Sequence, residues 1–278
     1  MSTYLKDKVI VITGAGSGFG KLIAEKCAAG GARVVGVDID ADNLGAAVDG
    51  IRAAGGSAIA QVADVTDFAQ VAAAAAAAVK QFGAIDVLVN NAGVMPLAYF
   101  ADHERALPKW HKAIDINIKG VVNGISAVYD QMIEQGRGQV VNISSIYGNA
   151  GIEGSGVYSA TKAAVTTLSD SLRIESKGRI KVTTVKPTGV TGTNLASWIV
   201  NDTAIMGLVG QRAAAYGEHV EALMNNDLPA ELTDVDSVKY WLITPDDLAS
   251  AVVHVIDQPW GISLSDITVR ASGEDYLY

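Results

Sequence analysis

Tyr158 and Lys162 lie four residues apart and could together exchange a proton with an alcohol or carbonyl oxygen. Residues 157–173 contain neither glycine nor proline and predict a helix, on which this spacing places both side chains on one face. A tyrosine phenol titrates near ~10, and a nearby ammonium favours the phenolate. Tyr158 is therefore predicted to be a general acid and base whose pKa is lowered by Lys162.

A hydroxyl that precedes this helix could hold the same substrate oxygen. Residues 139–144 are an apolar run bounded by glycine-rich segments, which predicts a buried strand, and Ser145 follows it directly. The Ser145 hydroxyl could donate a hydrogen bond to the oxygen beside Tyr158. A Tyr-x-x-x-Lys pair is common by chance, so these assignments depend on the rest of the chain.

The composition predicts a folded cytoplasmic protein. Of the 278 residues, 49% are apolar and 18% are charged, and the net charge of −9 argues against nucleic acid or an anionic membrane as a partner. Cys27 is the single cysteine, no apolar leader opens the chain, and no apolar run is long enough to span a membrane. The four histidines have no ligands at metal-site spacing, so no metal is expected.

Strand and helix patterns alternate along the chain, which is typical of βαβ units around a parallel sheet. The predicted strands are residues 8–13, 33–38, 57–62, 85–89, 139–144, 180–185 and 264–270. The predicted helices, besides 157–173, are residues 21–29, 41–54, 68–82 and 245–257. No linker rich in proline or serine interrupts this order, so residues 1–278 are predicted to form one domain.

A glycine-rich turn follows the first predicted strand directly and opens the first helix. Backbone amides in such a turn can approach a pyrophosphate, and the helix N-terminus adds partial positive charge. The candidate phosphate-binding residues are Gly14, Ser17, Gly18, Phe19 and Gly20. This turn predicts a dinucleotide-binding site.

Asp38 ends the second predicted strand, 18 residues after Gly20. A carboxylate there, with Ile39 beside it, could accept hydrogen bonds from both hydroxyls of the adenosine ribose. It would also repel a 2′-phosphate, so the sequence favours NAD over NADP. The alternative is an ordinary capping or turn aspartate in the loop formed with Asp40.

Five motifs occur in one order and spacing. They are Thr13-Gly14-x-x-x-Gly18-x-Gly20, Asn90-Asn91-Ala92-Gly93, Asn117, Ser145, and, thirteen residues after Ser145, Tyr158-x-x-x-Lys162. With these motifs the chain resembles the short-chain dehydrogenases/reductases over essentially its whole length. The resemblance implies a Rossmann-type doubly wound α/β fold, a seven-stranded parallel sheet in the order 3-2-1-4-5-6-7, a nicotinamide cofactor and a homotetramer.

The resemblance also implies roles for individual residues. Lys162 would bind the nicotinamide ribose besides lowering the pKa of Tyr158, and Ser145 would polarise the substrate oxygen. Asn117 would hold a water that links Lys162 to solvent, although a satisfied buried amide that kinks its helix is compatible with the same position. The further cofactor contacts that the resemblance implies are Asp64, Val65, Asn91, Ala92 and Gly93.

One stretch departs from the family pattern. The family has Pro-Gly after the sixth strand, whereas this chain has Thr188 after Pro187. Pro187 and Val190 remain expected cofactor contacts, and Val190 fits the position whose backbone binds the carboxamide. The phosphate contact could fall to Thr191 or Thr193, and the sequence leaves both open.

Residues 194–244 are longer than a simple strand connection needs and are rich in apolar side chains. They predict either a lid over a hydrophobic substrate or a segment that packs against the core or another subunit, and the sequence favours neither. The candidate substrate contacts are Ser145, Tyr147, Met95 and Trp198. Tyr147 and Met95 follow predicted strands on the side of the expected site and suggest a bulky or aromatic substrate.

The predicted function is hydride transfer between NAD(H) and a hydrophobic or bulky secondary alcohol or ketone. One alternative is an NADPH-type 3-oxoacyl reductase, against which Asp38 argues, as does Ser17 at a position where such a reductase would carry a basic residue. The other alternative is a protein that senses NAD(H) without catalysis. The presence of Tyr158, Lys162 and Ser145 argues against that second alternative.

Overall fold

The computed structural model describes residues 4–190, 192 and 194–276. The strands within these residues are β1 (Val9–Thr13), β2 (Arg33–Asp38), β3 (Ser57–Val62), β4 (Val87–Asn90), β5 (Gly138–Ile143), β6 (Ile180–Pro187) and β7 (Asp266–Val269). They form one parallel sheet in the order β3-β2-β1-β4-β5-β6-β7. The predicted fold class and strand order are confirmed.

Helices connect the strands. They are α1 (Gly18–Ala29), α2 (Ala41–Ala53), α3 (Phe68–Phe82), α4 (His103–Ile114), α5 (Gly120–Glu134), α6 (Gly156–Glu175), α7 (Met206–Val209), α8 (Ala213–Met224), α9 (Ala230–Thr233) and α10 (Pro245–Ile256). The first helix begins three residues earlier than predicted, because the end of the glycine turn already belongs to its first turn. Strand β7 is shorter than predicted at both ends.

Side chains of β1 alternate between two hydrophobic cores, one on each face of the sheet. Ile10 and Ile12 pack with residues of α1, α2 and α10, whereas Val9 and Val11 pack with residues of α3, α5 and α6. All five residues of β1 are buried, as a strand covered on both faces requires. The alanine-rich face of α3 is buried in the second of these cores.

The strand order places a crevice at the carboxyl ends of β1 and β4. Strands β2 and β3 lie on one side of β1, and β4 to β7 lie on the other side. Because successive connections leave β1 and β4 in opposite directions, the loops that follow these strands diverge and leave space between them. The sheet therefore brings together the loops in which the sequence predicts binding and catalytic residues.

A π-helical stretch, Asp115–Lys119, joins α4 to α5 and contains Asn117. Such single turns are rare and occur often at functional sites. The preceding helix α4 contains Pro108, which obscures its helical pattern in the sequence.

Residues 194–244 fold into short helices that pack onto the molecule. Leu208, Tyr216 and Trp241 are buried in one cluster with Tyr147 and Tyr158. The two predicted alternatives are thus combined, since the segment packs on the fold and covers the side of the sheet where the candidate catalytic residues lie. In the part of the chain that the structure describes, no helix is both long and apolar enough to cross a membrane.

Candidate active site

The turn after β1 exposes its backbone to open space. Gly14 and Gly18 have φ angles of 68° and 54°, which residues with a side chain rarely adopt. A Cβ at Gly18 would meet no atom within 4 Å, whereas a Cβ at Gly20 would collide with the Gly14 carbonyl oxygen. The turn is therefore tightly packed at Gly20 and open at Gly18. The open space at Gly18 would let a phosphate approach the helix N-terminus.

Asp38 is held in place by backbone amides. One carboxylate oxygen accepts a hydrogen bond from the Gly16 amide at 2.8 Å, and the other accepts one from the Asp40 amide at 3.0 Å. Each oxygen keeps a second lone pair for a ligand. Asp38 thus has the local turn role that was the alternative prediction, and it also lines the cavity described below.

Thr13 and Asn91 connect the ends of β1 and β4. Thr13 Oγ1 accepts hydrogen bonds from the amides of Asn91 and Ala92 at 3.0 and 3.1 Å, and Asn91 Nδ2 donates to the Thr13 carbonyl at 2.8 Å. Asn91 Oδ1 is buried and has no hydrogen-bond partner among residues 4–190, 192 and 194–276. Because buried polar atoms are normally paired, this oxygen is suited to accept a hydrogen bond from a ligand.

A first cavity of about 320 Å³ extends along the loops after β1, β2, β3 and β4. The predicted cofactor residues that line it are Gly14, Ser17, Gly18, Phe19, Gly20, Asp38, Ile39, Asp64, Val65, Asn91, Ala92 and Gly93. Asn123 Nδ2 donates to the Val65 carbonyl at 2.8 Å and so fixes the loop after β3. The structure therefore assembles these dispersed residues into one wall.

A second cavity of about 350 Å³ adjoins the first and contains the candidate catalytic side chains. Ser145, Tyr158 and Lys162 line the second cavity alone. The residues that line both cavities are Phe19, Asn91, Gly93, Val94 and Leu195. The two cavities therefore form one continuous cleft, with the candidate catalytic groups in its second part.

Helix α6 and the loop after β5 position these three side chains. Tyr158 and Lys162 are 5% and 6% exposed, and Lys162 Nζ lies 5.8 Å from the centroid of the Tyr158 ring. Lys162 Nζ donates a hydrogen bond to the Ile143 carbonyl at 2.9 Å. Ser145 Oγ accepts one from the Tyr147 amide at 3.2 Å, so its own hydroxyl proton can be donated to a substrate.

Burial opposes the charged forms of both titratable groups. It raises the pKa of Tyr158 to about 12, and the Ser145 hydroxyl lowers that pKa by a smaller amount. Burial also lowers the pKa of Lys162 to about 8. The prediction that Lys162 lowers the pKa of Tyr158 is wrong for the protein alone, because burial raises that pKa and the Ser145 hydroxyl is the group that lowers it. Burial therefore favours the phenol form of Tyr158 over the phenolate in this state.

Asn117 is a satisfied buried amide. Its Oδ1 accepts a hydrogen bond from the Val94 amide, and its Nδ2 donates to the Val94 carbonyl, both at 2.9 Å. Nδ2 also donates to Thr161 Oγ1 at 3.1 Å. These bonds connect the π-helical turn to the loop after β4 and to α6, which carries Tyr158 and Lys162.

The candidate substrate contacts divide between the two cavities. Met95, Tyr147 and Ser145 line the second cavity, and the Tyr147 and Tyr158 rings meet edge to face with centroids 5.4 Å apart. Trp198 lies instead on the first cavity, where Lys109 Nζ donates to its carbonyl at 3.2 Å. The first residues of the segment that starts at Asn194 line the first cavity, where the cofactor is predicted, and later residues line the second. The sequence could not show this order.

The end of β6 contributes Pro187 and Val190 to the second cavity. Val190 also forms an isolated parallel bridge with Ile243, which ties this loop to the end of the segment 194–244. Thr191 and Thr193, the two alternatives for the phosphate contact, lie outside the described residues.

Several lining residues were not predicted. Lys112 and Ile116 line the first cavity and lie four residues apart on α4 and the π-helical turn, a spacing that could have indicated them beside Asn117. Tyr216 and Tyr276 line the second cavity. No local sequence signal marks Tyr276, because its place depends on how the chain folds back after β7.

The first cavity fits a nicotinamide dinucleotide. The open space above Gly18 suits a phosphate, and the fixed carboxylate of Asp38 suits a pair of ribose hydroxyls. Asn91 lines both cavities, and its unpaired Oδ1 supplies a hydrogen-bond acceptor where the first cavity meets the second.

Comparison with known proteins identifies the family. The short chain dehydrogenase model matches residues 8–204. An uncharacterized oxidoreductase of Listeria monocytogenes is 33% identical over 98% of this chain and 99% of its own length. A solved 7α-hydroxysteroid dehydrogenase, complexed with NADH and 7-oxo-glycochenodeoxycholic acid, has a TM-score of 0.76 at 27% identity and covers 97% of this chain and 96% of that one.

A second solved structure, a metagenomic short-chain oxidoreductase in complex with NADP, has a TM-score of 0.71 at 27% identity and covers 96% of this chain and 99% of its own. The family match spans the glycine turn, Ser145 and α6. This chain belongs to the short-chain dehydrogenase/reductase family and is an oxidoreductase.

Proposed function

We propose that the protein is an NAD-dependent short-chain alcohol dehydrogenase or ketoreductase that acts on a hydrophobic secondary alcohol or ketone. The observation that carries this proposal is the convergence of Ser145, Tyr158 and Lys162 on a cavity that adjoins the dinucleotide cavity. A reacting carbon in the second cavity would lie beside both the proton-transfer groups and the cofactor.

When bound, the nicotinamide ring supplies the acceptor or donor of hydride. Ser145 donates a hydrogen bond to the substrate oxygen and holds it beside Tyr158. In oxidation the Tyr158 phenolate takes the hydroxyl proton, and in reduction the Tyr158 phenol donates a proton to the carbonyl oxygen. Lys162, when protonated, stabilises the phenolate and binds the nicotinamide ribose.

Asn117 lies close to Lys162 and could support its proton exchange. A Cβ added at Gly93 would lie 3.3 Å from Asn117 Oδ1 and 3.5 Å from Lys162 Nζ, so both side chains approach the same point. This proximity supports the proposal that a water held at Asn117 exchanges the proton of Lys162 with solvent.

The choice of NAD rests on charge. Asp38 lines the first cavity with both carboxylate oxygens fixed by amides, where it would attract ribose hydroxyls and repel a 2′-phosphate. Among the described lining residues, Lys112 is the single basic one, and it lies on α4 and not on the loop of Asp38. The two solved relatives hold NADH and NADP respectively, so the preference depends on this chain's own residues.

The proposed substrate is hydrophobic because the second cavity has mostly apolar walls, and it is bulky because that cavity is large. The aliphatic side chains that line it are Val94, Met95, Ile143, Val190, Leu195, Ala196, Ile199, Ile205, Leu208, Val220, Leu223 and Leu242. A cavity of about 350 Å³ is in the range that encloses a small ring system. The proposed substrate is aryl, terpenoid or steroid-like, and the bile-acid ligand of the solved 7α-hydroxysteroid dehydrogenase supports the steroid-like member of this class.

The experiment that tests this function is NAD⁺ reduction with 2-butanol, 1-phenylethanol and chenodeoxycholate by the wild type and by Tyr158→Phe. Wild-type rates are expected to rise with substrate size and to vanish in the variant, while both proteins bind NADH. Tyr129→Phe is the matched control, because it removes the hydroxyl of a tyrosine that lines neither cavity and leaves that of Tyr158. NADH binding without oxidation of any alcohol would favour an NAD(H)-sensing protein instead.

Family membership supports a homotetramer as the expected assembly. Light scattering coupled to size-exclusion chromatography measures the mass directly, and about four times the 28.8 kDa of one chain is the expected result. A monomer would contradict this expectation without affecting the proposed reaction.

A further inference from the structure

The residues after β7 fold back onto the second cavity. Tyr276 lines that cavity and is 7% exposed. Its ring lies 6.0 Å from that of Tyr216, centroid to centroid, and both belong to the cluster that contains Tyr158. A residue close to the end of the sequence is thus part of the wall that a substrate would meet.

Two side chains of the segment 194–244 hold Asp275, the residue that precedes Tyr276. Asp275 Oδ2 accepts a hydrogen bond from Trp241 Nε1 at 2.7 Å and lies 3.1 Å from His219 Nδ1. Trp241 is 1% exposed, and the His219 ring packs against it edge to face at 4.9 Å between centroids. Arg212 Nη1 donates to the Glu274 carbonyl at 3.0 Å. Three residues of this segment therefore hold the C-terminal segment 271–276.

The loop after β6 fixes the same segment from the other side. Thr188 Oγ1 donates a hydrogen bond to the Glu274 carboxylate at 2.5 Å, and its amide donates to the Val269 carbonyl at 3.1 Å. A Cβ at Gly189 would collide with the ring and hydroxyl of Tyr276.

These contacts account for the departure from the family's Pro-Gly motif. The residue after Pro187 is a threonine whose hydroxyl anchors Glu274, and the glycine follows one position later, where Tyr276 requires the space. The loop and the C-terminal segment are thus complementary in shape and in hydrogen bonding.

We propose that the segment 271–276 holds Tyr276 as a fixed wall of the substrate cavity and that Tyr276 is a specificity-determining residue that limits the size of the alcohol or ketone. Asp275 is a positioning residue, since it acts by holding Tyr276 through its own bonds to Trp241 and His219. This proposal rests on the proposed function, because it assigns the second cavity to the substrate.

The first test measures kcat/KM with NAD⁺ for 1-phenylethanol and chenodeoxycholate in the wild type, Tyr276→Ala and Tyr276→Phe. Removal of the ring is expected to raise the chenodeoxycholate to 1-phenylethanol ratio at least fivefold, whereas Tyr276→Phe keeps the ratio within twofold of wild type. Tyr129→Ala, at a partly buried tyrosine that lines neither cavity, is the control for a nonspecific loss of packing. An unchanged ratio in folded Tyr276→Ala overturns the specificity role, and Tyr276→Leu replaces Tyr276→Ala if that variant does not fold.

The second test separates this proposal from the proposed function. Hydrogen exchange of residues 271–276 needs no turnover, and slow exchange in the wild type that accelerates at least tenfold in Trp241→Phe is expected. Fast exchange in the wild type overturns the fixed wall.

If the wild type oxidises no alcohol, the proposed function fails by itself. Calorimetric binding of chenodeoxycholate to the NADH-loaded wild type and Tyr276→Ala then replaces kinetics. At least fivefold tighter binding by the variant supports the size limit, and no difference, including no binding by either protein, overturns it.

Discussion

The two parts of the cleft are built in different ways. The first cavity is lined mainly by glycines, short side chains and backbone from the loops after β1 to β4. The second cavity takes most of its apolar wall from residues 187–276, whose aromatic rings pack on one another. The comparison indicates that the predicted cofactor side depends on local backbone geometry, whereas the predicted substrate side depends on contacts between segments distant in sequence.

The largest expected effect comes from the proton-transfer residue in the second part. Tyr158→Phe removes the hydroxyl that gives or takes the proton, so kcat is expected to fall about 10³-fold, within the range for general acid–base groups. The dissociation constant for NADH, measured by fluorescence titration, should stay within about threefold, because Ser17, Gly18 and Asp38 are untouched. Full turnover by the variant would remove Tyr158 as the acid and base.

Lys162→Met tests the electrostatics at the junction of the two parts. Burial lowers the pKa of Lys162 to about 8 in the folded protein, whereas the unfolded chain titrates near ~10.4. Between these pH values the unfolded chain binds more protons, so this lysine makes the free energy of unfolding rise with pH.

The wild type should therefore gain about 3 kcal/mol relative to Lys162→Met between pH 8 and ~10.4, measured by urea unfolding. Lys181, whose pKa burial also lowers to about 8, is present in both proteins and cancels in the difference. A difference that stays flat with pH would show that Lys162 is not desolvated.

Asp38→Ala sharpens the comparison on the cofactor side. Loss of the carboxylate removes an acceptor for the ribose hydroxyls and a repulsion against a 2′-phosphate, so the preference for NADH over NADPH is expected to fall about tenfold or more, which is ~1.4 kcal/mol. The ratio of the two dissociation constants measures it. Asp42→Ala, an exposed aspartate of α2 outside the cavity, is the matched control. Equal ratios in Asp38→Ala and wild type would refute the ribose role.

The smallest expected effects come from a matched pair, one residue in each part. Leu208→Ala enlarges the second cavity and should change KM for 1-phenylethanol a few-fold with NADH binding within twofold, at a stability cost of ~2–5 kcal/mol. Ile39→Ala, at a 65% exposed residue of the first cavity, should weaken NADH binding a few-fold with that KM unchanged at saturating NAD⁺. Weaker NADH binding in Leu208→Ala, or a changed KM in Ile39→Ala, would contradict the separation between the two parts.

Local patterns accounted for much of the fold and of the cofactor wall. Continuous apolar runs such as Val9–Thr13 indicated strands buried on both faces, and alternation with helices indicated a parallel sheet. Gly14 and Gly18 were identifiable because their turn needs glycine at those places, and Asp38 was identifiable because it ends the next strand. The bounds of α4 were not predictable, since Pro108 interrupts its pattern.

The direction of the pKa of Tyr158 was beyond the sequence. Spacing along α6 places an ammonium near the phenol, which favours a lower pKa, but the burial that raises it comes from residues of several other segments. Desolvation is a property of the assembled site, so no spacing of two residues can report it.

The sequence by itself predicted the family, the order of the strands and the candidate catalytic residues, because short motifs in one order along the chain carry the resemblance on which these predictions depend. Only the tertiary structure decided that Trp198 lines the first cavity, that Tyr276 and Thr188 line the second, and that Asp275 is held by Trp241. The reason is physical. Backbone turns and helix faces are set by neighbours in sequence, whereas the shape of an apolar cavity is set by side chains that meet only after the chain has folded.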